Sequence, residues 1–181
     1  TTPATMRIIT GIYKGRHFDI PRTFKARPTT DFAKENIFNV LNGYVDFDGA
    51  AALDLFAGTG SISLELLSRG CTGVVSVEAD RDHARFIGQC MQKLGIHGHV
   101  LVRGNVFRFL KSCRQQFDLI FADPPYALEQ LSSLPDLVFE HQLLREDGIF
   151  VLEHGKAHDF VRHPHFVEHR SYGSVNFSLF K

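Results

Sequence analysis

Between residues 51 and 152, short apolar runs alternate with stretches of helical period, and this alternation constrains the fold more than any other feature of the chain. Ala51–Phe56, Val74–Val77, His99–Val102, Phe117–Ala122 and Ile149–Leu152 are strand-like runs. Between them lie a stretch carrying Ile62, Leu64, Leu66 and Leu67 that ends at Gly70, a helix over Arg81–Leu94 stopped by Gly95, a short helix around Phe107–Lys111, and a helix around Leu131–Leu144. A repeated strand–helix–strand unit closes through right-handed crossovers, which gives a mainly parallel sheet with helices on both faces. Phe117–Ala122 has the unbroken apolar character of a strand buried on both sides. Phe166–Tyr172 and Val175–Phe180 flank Gly173 as a final antiparallel pair. The expectation is an α/β fold with a seven-stranded, mostly parallel sheet. A ligand of such a sheet binds beyond the carboxyl ends of the strands.

Residues 1–30 read as a separate unit, a basic β-hairpin arm in front of a domain spanning 31–181. Arg7-Ile8-Ile9 and His17–Ile20 are extended runs separated by Gly11 and Lys14-Gly15, both turn-friendly. Arg27-Pro28 closes the arm, because a residue before proline is pushed out of helical geometry. Thr29 or Thr30 then caps a helix with Asp31 in its first turn and an apolar stripe of Ala33, Ile37, Val40 and Leu41. The chain is neutral, with 20 basic and 20 acidic side chains, but the charges are unevenly placed. Residues 1–34 carry seven basic and two acidic groups, the rest 13 basic and 18 acidic. A basic arm on an acidic body suits a segment that meets a polyanion, although a solvated terminal face gives the same count.

A chain of 181 residues buries enough surface to need no disulfide or metal staple. Cys71, Cys90 and Cys113 are odd in number and widely spaced, which favours a reducing, cytoplasmic setting. No apolar run reaches the roughly 18 residues of a membrane span. The opening TTPATMRIIT has neither the positive start nor the apolar core of a secretory signal. Met6 is a candidate natural start, with the residues before it either a cloning remnant or a short extension.

The exit of the first run reads Asp54-Leu55-Phe56-Ala57-Gly58-Thr59-Gly60. Two glycines in a strand-to-helix turn let the backbone approach a ligand closely, and the next helix offers free N–H groups. The spacing departs from the dinucleotide fingerprint, since Ser63 stands at the third glycine position. A cationic sulfonium ligand has no diphosphate to place there, and Asp54 can hold its ammonium end. Glu78 ends the second strand, where an acidic side chain accepts from both ribose hydroxyls of an adenosine. Asn105, after the third strand, is a candidate reader of the adenine edge or a plain turn residue.

The fourth strand ends in Asp123-Pro124-Pro125-Tyr126. Two prolines stiffen the chain and donate no N–H, leaving carbonyls as acceptors. A carboxylate and a carbonyl converging on one point suit an NH₂ group. The exocyclic nitrogen of a base delocalises its lone pair into the ring and is a poor nucleophile. Two acceptors draw it toward tetrahedral geometry and stabilise the positive charge that develops as a methyl group arrives. Tyr126 can stack on a base held out of its helix, a contact worth about 1–3 kcal/mol.

The order Asp-x-Phe-x-Gly-x-Gly, then Glu78, then Asp-Pro-Pro-Tyr resembles the amino-methyltransferase branch of the Rossmann-like methyltransferases. More narrowly, Arg7-Ile8-Ile9-x-Gly11, Gly15-Arg16, Arg27-Pro28-Thr29-Thr30-Asp31, Phe38-Asn39 and Glu153-His154 make the chain similar to the RsmD family, over nearly its whole length from Met6 to Phe180. The resemblance implies a Rossmann-like fold dependent on S-adenosyl-L-methionine and methylation of guanine N2 in 16S ribosomal RNA. It implies a donor site of Asp54, Phe56, Ala57, Gly58, Thr59, Gly60, Glu78, Asn105 and Val106, and a catalytic set of Asp123, Pro124 and Tyr126. It further implies RNA contacts from Arg7, Lys14, Arg16, Arg27 and Pro125. Two positions depart from the family pattern. Gly104-Asn105-Val106 stands for the usual Gly-Asp-Ala, and Phe32 stands for an arginine, which removes one charge from the basic face.

Three rival readings remain open at this point: a DNA adenine-N6 or cytosine-N4 methyltransferase, a nicotinamide dehydrogenase, and an RNA-binding module without catalysis. Naked ribosomal RNA and an assembled small-subunit particle are both admissible substrates, no membrane partner is expected, and the oligomeric state is open. Ten histidines are present, but no cysteine pair accompanies them at zinc-finger spacing, so no metal is expected. His154 lies near the site end of its strand without an evident task, since amino methylation needs no strong base before transfer.

Overall fold

The computed structural model describes residues 4–181. A two-stranded antiparallel ladder comes first, β1 (Thr5–Arg7) and β2 (His17–Asp19). It is followed by α1 (Asp31–Leu41), β3 (Ala51–Leu55), α2 (Ser61–Ser68), β4 (Gly73–Glu78), α3 (Arg81–Leu94), β5 (His99–Arg103) and α4 (Val106–Ser112). The chain continues through β6 (Phe117–Ala122), a 3₁₀ turn (Glu129–Ser133), α5 (Leu134–Glu140), β7 (Leu144–His154), β8 (Phe166–Tyr172) and β9 (Val175–Phe180). The main sheet has seven strands in the order β5-β4-β3-β6-β7-β9-β8. Its first four pairings are parallel and its last two antiparallel, as the alternation of the sequence implied.

Each face of the sheet carries its own apolar layer. Along β3, Ala52 joins the cluster with Ile37 of α1, Leu64 of α2 and Ile87 of α3. Leu53 and Leu55 join the cluster with Leu110 of α4 and Val138 of α5. Alternation along the strand thus sorts the helices onto two sides.

Several local expectations change. The Leu131–Leu144 helix is replaced by the 3₁₀ turn and a short α5, because Pro135 cannot donate within a helix and suits a helix start. Leu144 instead opens β7 by pairing with Phe117. The buried face of α1 contains Lys34 and Phe38, while Val40 is half-buried. Thr30 caps α1 by accepting from the Ala33 N–H.

The largest difference concerns the N-terminal arm, whose residues 1–3 lie outside the described residues. Every residue of α2 is buried, although its sequence reads as amphipathic. The arm covers the side that would otherwise meet solvent. Met6, Ile8, Phe18 and Ile20 sit in the same apolar cluster as α2. The Ile9 and Thr10 N–H groups donate to the two carboxylate oxygens of Glu65 at 2.8 and 3.0 Å. Arg69 Nε donates to Glu65 at 3.0 Å, and Lys34 Nζ lies 3.6 Å from it. Lys34 also donates to the Arg7 carbonyl at 2.5 Å and to Ser61 Oγ at 3.0 Å. Gly11 turns the chain against Ser68, where an added Cβ would come within 1.9 Å of the Ser68 carbonyl oxygen. Only glycine fits there.

Burial of Glu65 and Lys34 is tolerable because each satisfies the other and the arm backbone together. Glu65→Ala would leave Lys34 charged and unpaired, so urea unfolding should show a loss of roughly 3–5 kcal/mol. A loss under about 1 kcal/mol, the scale of an exposed pair, would mean that Glu65 does not fasten the arm.

Candidate active site

The carboxyl ends of β3, β4 and β6 open into one cavity of about 650 Å³. Its walls include Asp54, Phe56 to Thr59, Glu78, and Asp123 to Pro125. The segment Lys25–Thr29 forms its cover. The cover is fixed by Phe24, whose ring meets His83 and Phe86 of α3 edge-on at 4.5 and 5.4 Å.

The glycine loop is strained and tied down. Phe56 has φ 57, a left-handed conformation that costs a non-glycine residue about 1–2 kcal/mol. The Ala57 N–H donates to Val77 O at 3.0 Å, and the Gly58 N–H to Glu78 Oε1 at 2.7 Å. Gly60 has φ 82, and an added Cβ would stand 3.0 Å from Ile87 of α3, so the turn and the helix packing both require glycine. Glu78 Oε2 accepts from the Asp80 N–H at 2.8 Å. Glu78 is therefore nearly buried and already engaged with the loop, rather than being a solvated strand end.

Asp54 faces α2, where its Oδ2 accepts from the Ser63 N–H at 3.1 Å and the Ser63 hydroxyl at 2.6 Å. A buried polar chain continues from Ser63 to Ser76 and His99. Burial pushes the Asp54 carboxyl up to about 7, against the Ser63 hydrogen bonds and with a small addition from the Glu78 charge.

On the acceptor side, the Asp123 N–H donates to Leu55 O at 3.2 Å, which fixes the first residue of Asp-Pro-Pro-Tyr against β3. Among the described residues, the Pro124 carbonyl accepts no hydrogen bond. The Tyr126 ring is 42% exposed and leans on Gly155, while its hydroxyl donates to Glu153 Oε2 at 3.0 Å. Burial first, and the Glu153 charge second, hold the Asp123 carboxyl well above the usual carboxylate range.

The structure thus brings Asp54, Phe56, Ala57, Gly58, Thr59, Glu78, Asp123, Pro124, Pro125 and Arg27 onto one cavity. Gly60 and Tyr126 flank it from the loop and from the acceptor side. Asn105 and Val106 do not line it. Asn105 Oδ1 caps α4 by accepting from the Phe107 and Arg108 N–H groups, and Val106 is packed in the core. Lys14 and Arg16 are exposed on the hairpin, away from the cavity walls. Arg7 is paired with Asp31 at 2.9 Å. His154 turns to the other face of the sheet, between Ser178 Oγ and the Gly155 carbonyl. Lys25, Ala26, Asp80, His83 and Glu153 were not singled out as site residues. For Glu153 the signal was its position, an acid at the carboxyl end of a core strand.

A family model described as Conserved hypothetical protein 95 matches residues 6–181. The chain is 30% identical over 148 residues to ribosomal RNA small subunit methyltransferase D of Escherichia coli (strain K12), covering 82% of this chain and 74% of that one. This chain belongs to the RsmD family. It is also 39% identical over 155 residues to YlbH of Bacillus subtilis (strain 168), provisionally described as an rRNA methyltransferase, with 83% of each chain covered. Among solved structures, yhhF of Escherichia coli, provisionally described as a methyltransferase, superposes with a TM-score of 0.86 at 26% identity, covering 98% of this chain and 97% of that one. The RsmD-family fold is the Rossmann-like methyltransferase sheet described above.

A carboxyl raised on folding contributes stability that is lost as pH rises through its folded value. For Asp54 that window runs from 3.8 to about 7, and Asp123 and Glu153 are shifted in the same direction. Unfolding free energy should therefore fall as pH rises from about 4 to about 7, and Asp54→Asn should lessen the fall. An equally steep fall in the variant would show that Asp54 is ionised throughout.

Proposed function

We propose that this chain transfers the methyl group of S-adenosyl-L-methionine to N2 of a guanine in 16S ribosomal RNA. One observation carries the reading: a glycine-loop half-site and an Asp-Pro-Pro-Tyr half-site share a single cavity. Its volume is within the range of small-ligand sites. Asp54, Glu78 and Asp123 give this cavity an acidic wall, and among the described residues no lysine or arginine pairs with them. Such a wall suits a donor that carries an ammonium and a sulfonium rather than a diphosphate.

Asp54 would hold the ammonium end, Glu78 the ribose hydroxyls, and the strained Phe56–Gly60 turn would bring backbone close to the ligand. When bound, S-adenosylmethionine supplies an electrophilic methyl group. Asn105 and Val106 are left out of the donor site proposed here, because neither lines the cavity. Opposite the donor, Asp123 and the free Pro124 carbonyl would accept from the guanine amino group, and the half-exposed Tyr126 ring would stack on the base. Holding both reactants in line is worth up to roughly 7–11 kcal/mol. Lys14, Arg16 and Arg27 would contact RNA phosphates. Arg7 contributes less, because Asp31 already neutralises it. The cytoplasm, where ribosomal RNA and free thiols coexist, is the proposed setting.

Glu78→Ala should weaken donor binding by about 1.5–3 kcal/mol in calorimetry, the scale of hydrogen bonds to a charged group. Unchanged affinity would remove Glu78 from the donor site. Asp123→Ala should slow methyl transfer by roughly 10²–10³ with donor affinity little changed. Activity within a few fold of wild type would remove the acceptor mechanism. Radiolabel transfer should favour small-subunit rRNA or its particle over duplex DNA, and Arg16→Glu should reduce it and flatten its salt dependence by about 0.7–0.9 log unit. Preference for duplex DNA would instead support the DNA-methyltransferase reading.

A further inference from the structure

Glu153 has no role in the function described so far, yet its placement is unusual. It is 7% exposed and stands at the end of β7, beside the end of β6, where Ala122 pairs with Leu152. The next residues along the two strands are Asp123 and Glu153. Their carboxyl groups are within hydrogen-bonding reach of each other. Glu153 Oε2 accepts from the Tyr126 hydroxyl at 3.0 Å. Glu153 Oε1 is fully buried and, among the described residues, has no hydrogen-bond partner.

An orphaned buried carboxylate oxygen loses its hydration without compensation, so it calls for a donor. Among the described residues no lysine or arginine pairs with Glu153. Lys34 is bonded to Glu65, Arg170 to Glu168, and the Arg27 guanidinium to the Phe24 carbonyl. On β9 the residue paired with Glu153 is Phe177, and His154 faces the opposite side of the sheet toward Ser178. The remaining titratable groups facing the pair are Tyr126, which donates to Glu153, and Asp54, whose charge acts on Asp123. Asp123, whose proton affinity is raised by burial and by the Glu153 charge, is the side chain placed to donate to Oε1 when protonated.

We propose that Glu153 is the positioning residue of methyl transfer: its carboxylate, anchored by the Tyr126 hydroxyl, lies against Asp123 and makes that side chain the proton acceptor for the amino nitrogen. The inference rests on the reading of Asp123 as the partner of the guanine amino group. The amino nitrogen forms its bond to the methyl carbon while the carbon–sulfur electron pair leaves with sulfur. One N–H proton then passes from the positively charged nitrogen to ionised Asp123, and from there to water. An acceptor is most effective when its proton affinity is matched to the working pH. Burial and the adjacent Glu153 anion both raise that of Asp123. The same contact holds Tyr126 in place as the stacking surface, so one side chain aligns the two parts of the acceptor site.

The test compares Glu153→Gln with wild type. Glutamine keeps the shape and can still accept from Tyr126, but it removes the charge beside Asp123. Asp123 should then ionise at lower pH, by about one unit or more for loss of an adjacent like charge. The single-turnover rate with small-subunit rRNA should rise with pH in wild type, and this limb should move to lower pH in Glu153→Gln, with donor affinity unchanged. In donor-free protein, the infrared band of the protonated carboxyl should disappear at correspondingly lower pH. Glu153→Asp, which keeps the charge, should keep the wild-type limb at a reduced rate, and if the glutamine variant fails to fold, Glu153→Ala, which also removes the charge, should move the limb to lower pH. Superimposed profiles, or a limb displaced to higher pH, would overturn the proposal. If Asp123→Asn were as active as wild type, the underlying reading of Asp123 would fall, and this inference with it. If Asp123→Asn were inactive while Glu153→Gln matched wild type, only the role of Glu153 would fall.

Discussion

Parallel pairing of β3, β4, β6 and β7 ends four core strands at one edge, and Asp54, Glu78, Asp123 and Glu153 gather there. In a parallel sheet the register of one strand fixes the endpoint of the next, so these acids cannot spread apart. Among the described residues, none of them is neutralised by a lysine or arginine. The protein copes in other ways. Asp54 leans on Ser63, Glu78 takes the Gly58 and Asp80 N–H groups, and Asp123 and Glu153 lie together with raised proton affinity. The edge is left short of positive charge. On the function proposed above, a cationic methyl donor and an amino group that becomes positive during transfer would relieve this shortage at successive stages.

The arm matters through packing before it matters through charge. Glu65 fastens residues 9 and 10 to α2, and α2 begins where the glycine loop ends. From that anchor the chain runs past Phe24, docked on α3, to the cover at Lys25–Thr29. Damage to the arm would therefore disturb the donor pocket as well as any RNA surface. Its charge excess is also smaller in effect than in the sequence count. Lys34 is buried against Glu65 and Arg7 is matched by Asp31, leaving Lys14, Arg16, Arg22, Lys25 and Arg27 outward.

The strand–helix alternation, the cap at Thr30 and the stop at Gly95 were legible in sequence, because each depends on nearby residues with strong local preferences. Asp54, Glu78 and Asp123 were legible for a related reason, since they sit at strand exits beside glycine or proline signals. Other features depend on tertiary partners. Glu65 lies in a helix, where a carboxylate ordinarily reads as a solvated face, and only the arm laid across it makes it a buried hub. The first half of β7, with Arg145, Glu146 and Asp147, reads as a turn, and these residues form the irregularity between the Phe117–Leu144 and Leu119–Ile149 pairs, with Asp147 at φ 66. Glu153 was visible as an acid at a strand end, but its partnership with Asp123 follows from the β6–β7 register. Asn105 shows the reverse case. A turn position beside the site suggested ligand contact, and the local cap of α4 takes its Oδ1.

The central claim is that this edge methylates the exocyclic amine of guanine. Small-subunit rRNA from cells lacking the gene should be digested to nucleosides and analysed by mass spectrometry beside rRNA from cells complemented with wild type or Asp123→Ala. Loss of N2-methylguanosine without the gene, recovery with wild type, and no recovery with Asp123→Ala are expected. Unchanged N2-methylguanosine, or loss of N6-methyladenosine or N4-methylcytidine in its place, would contradict it.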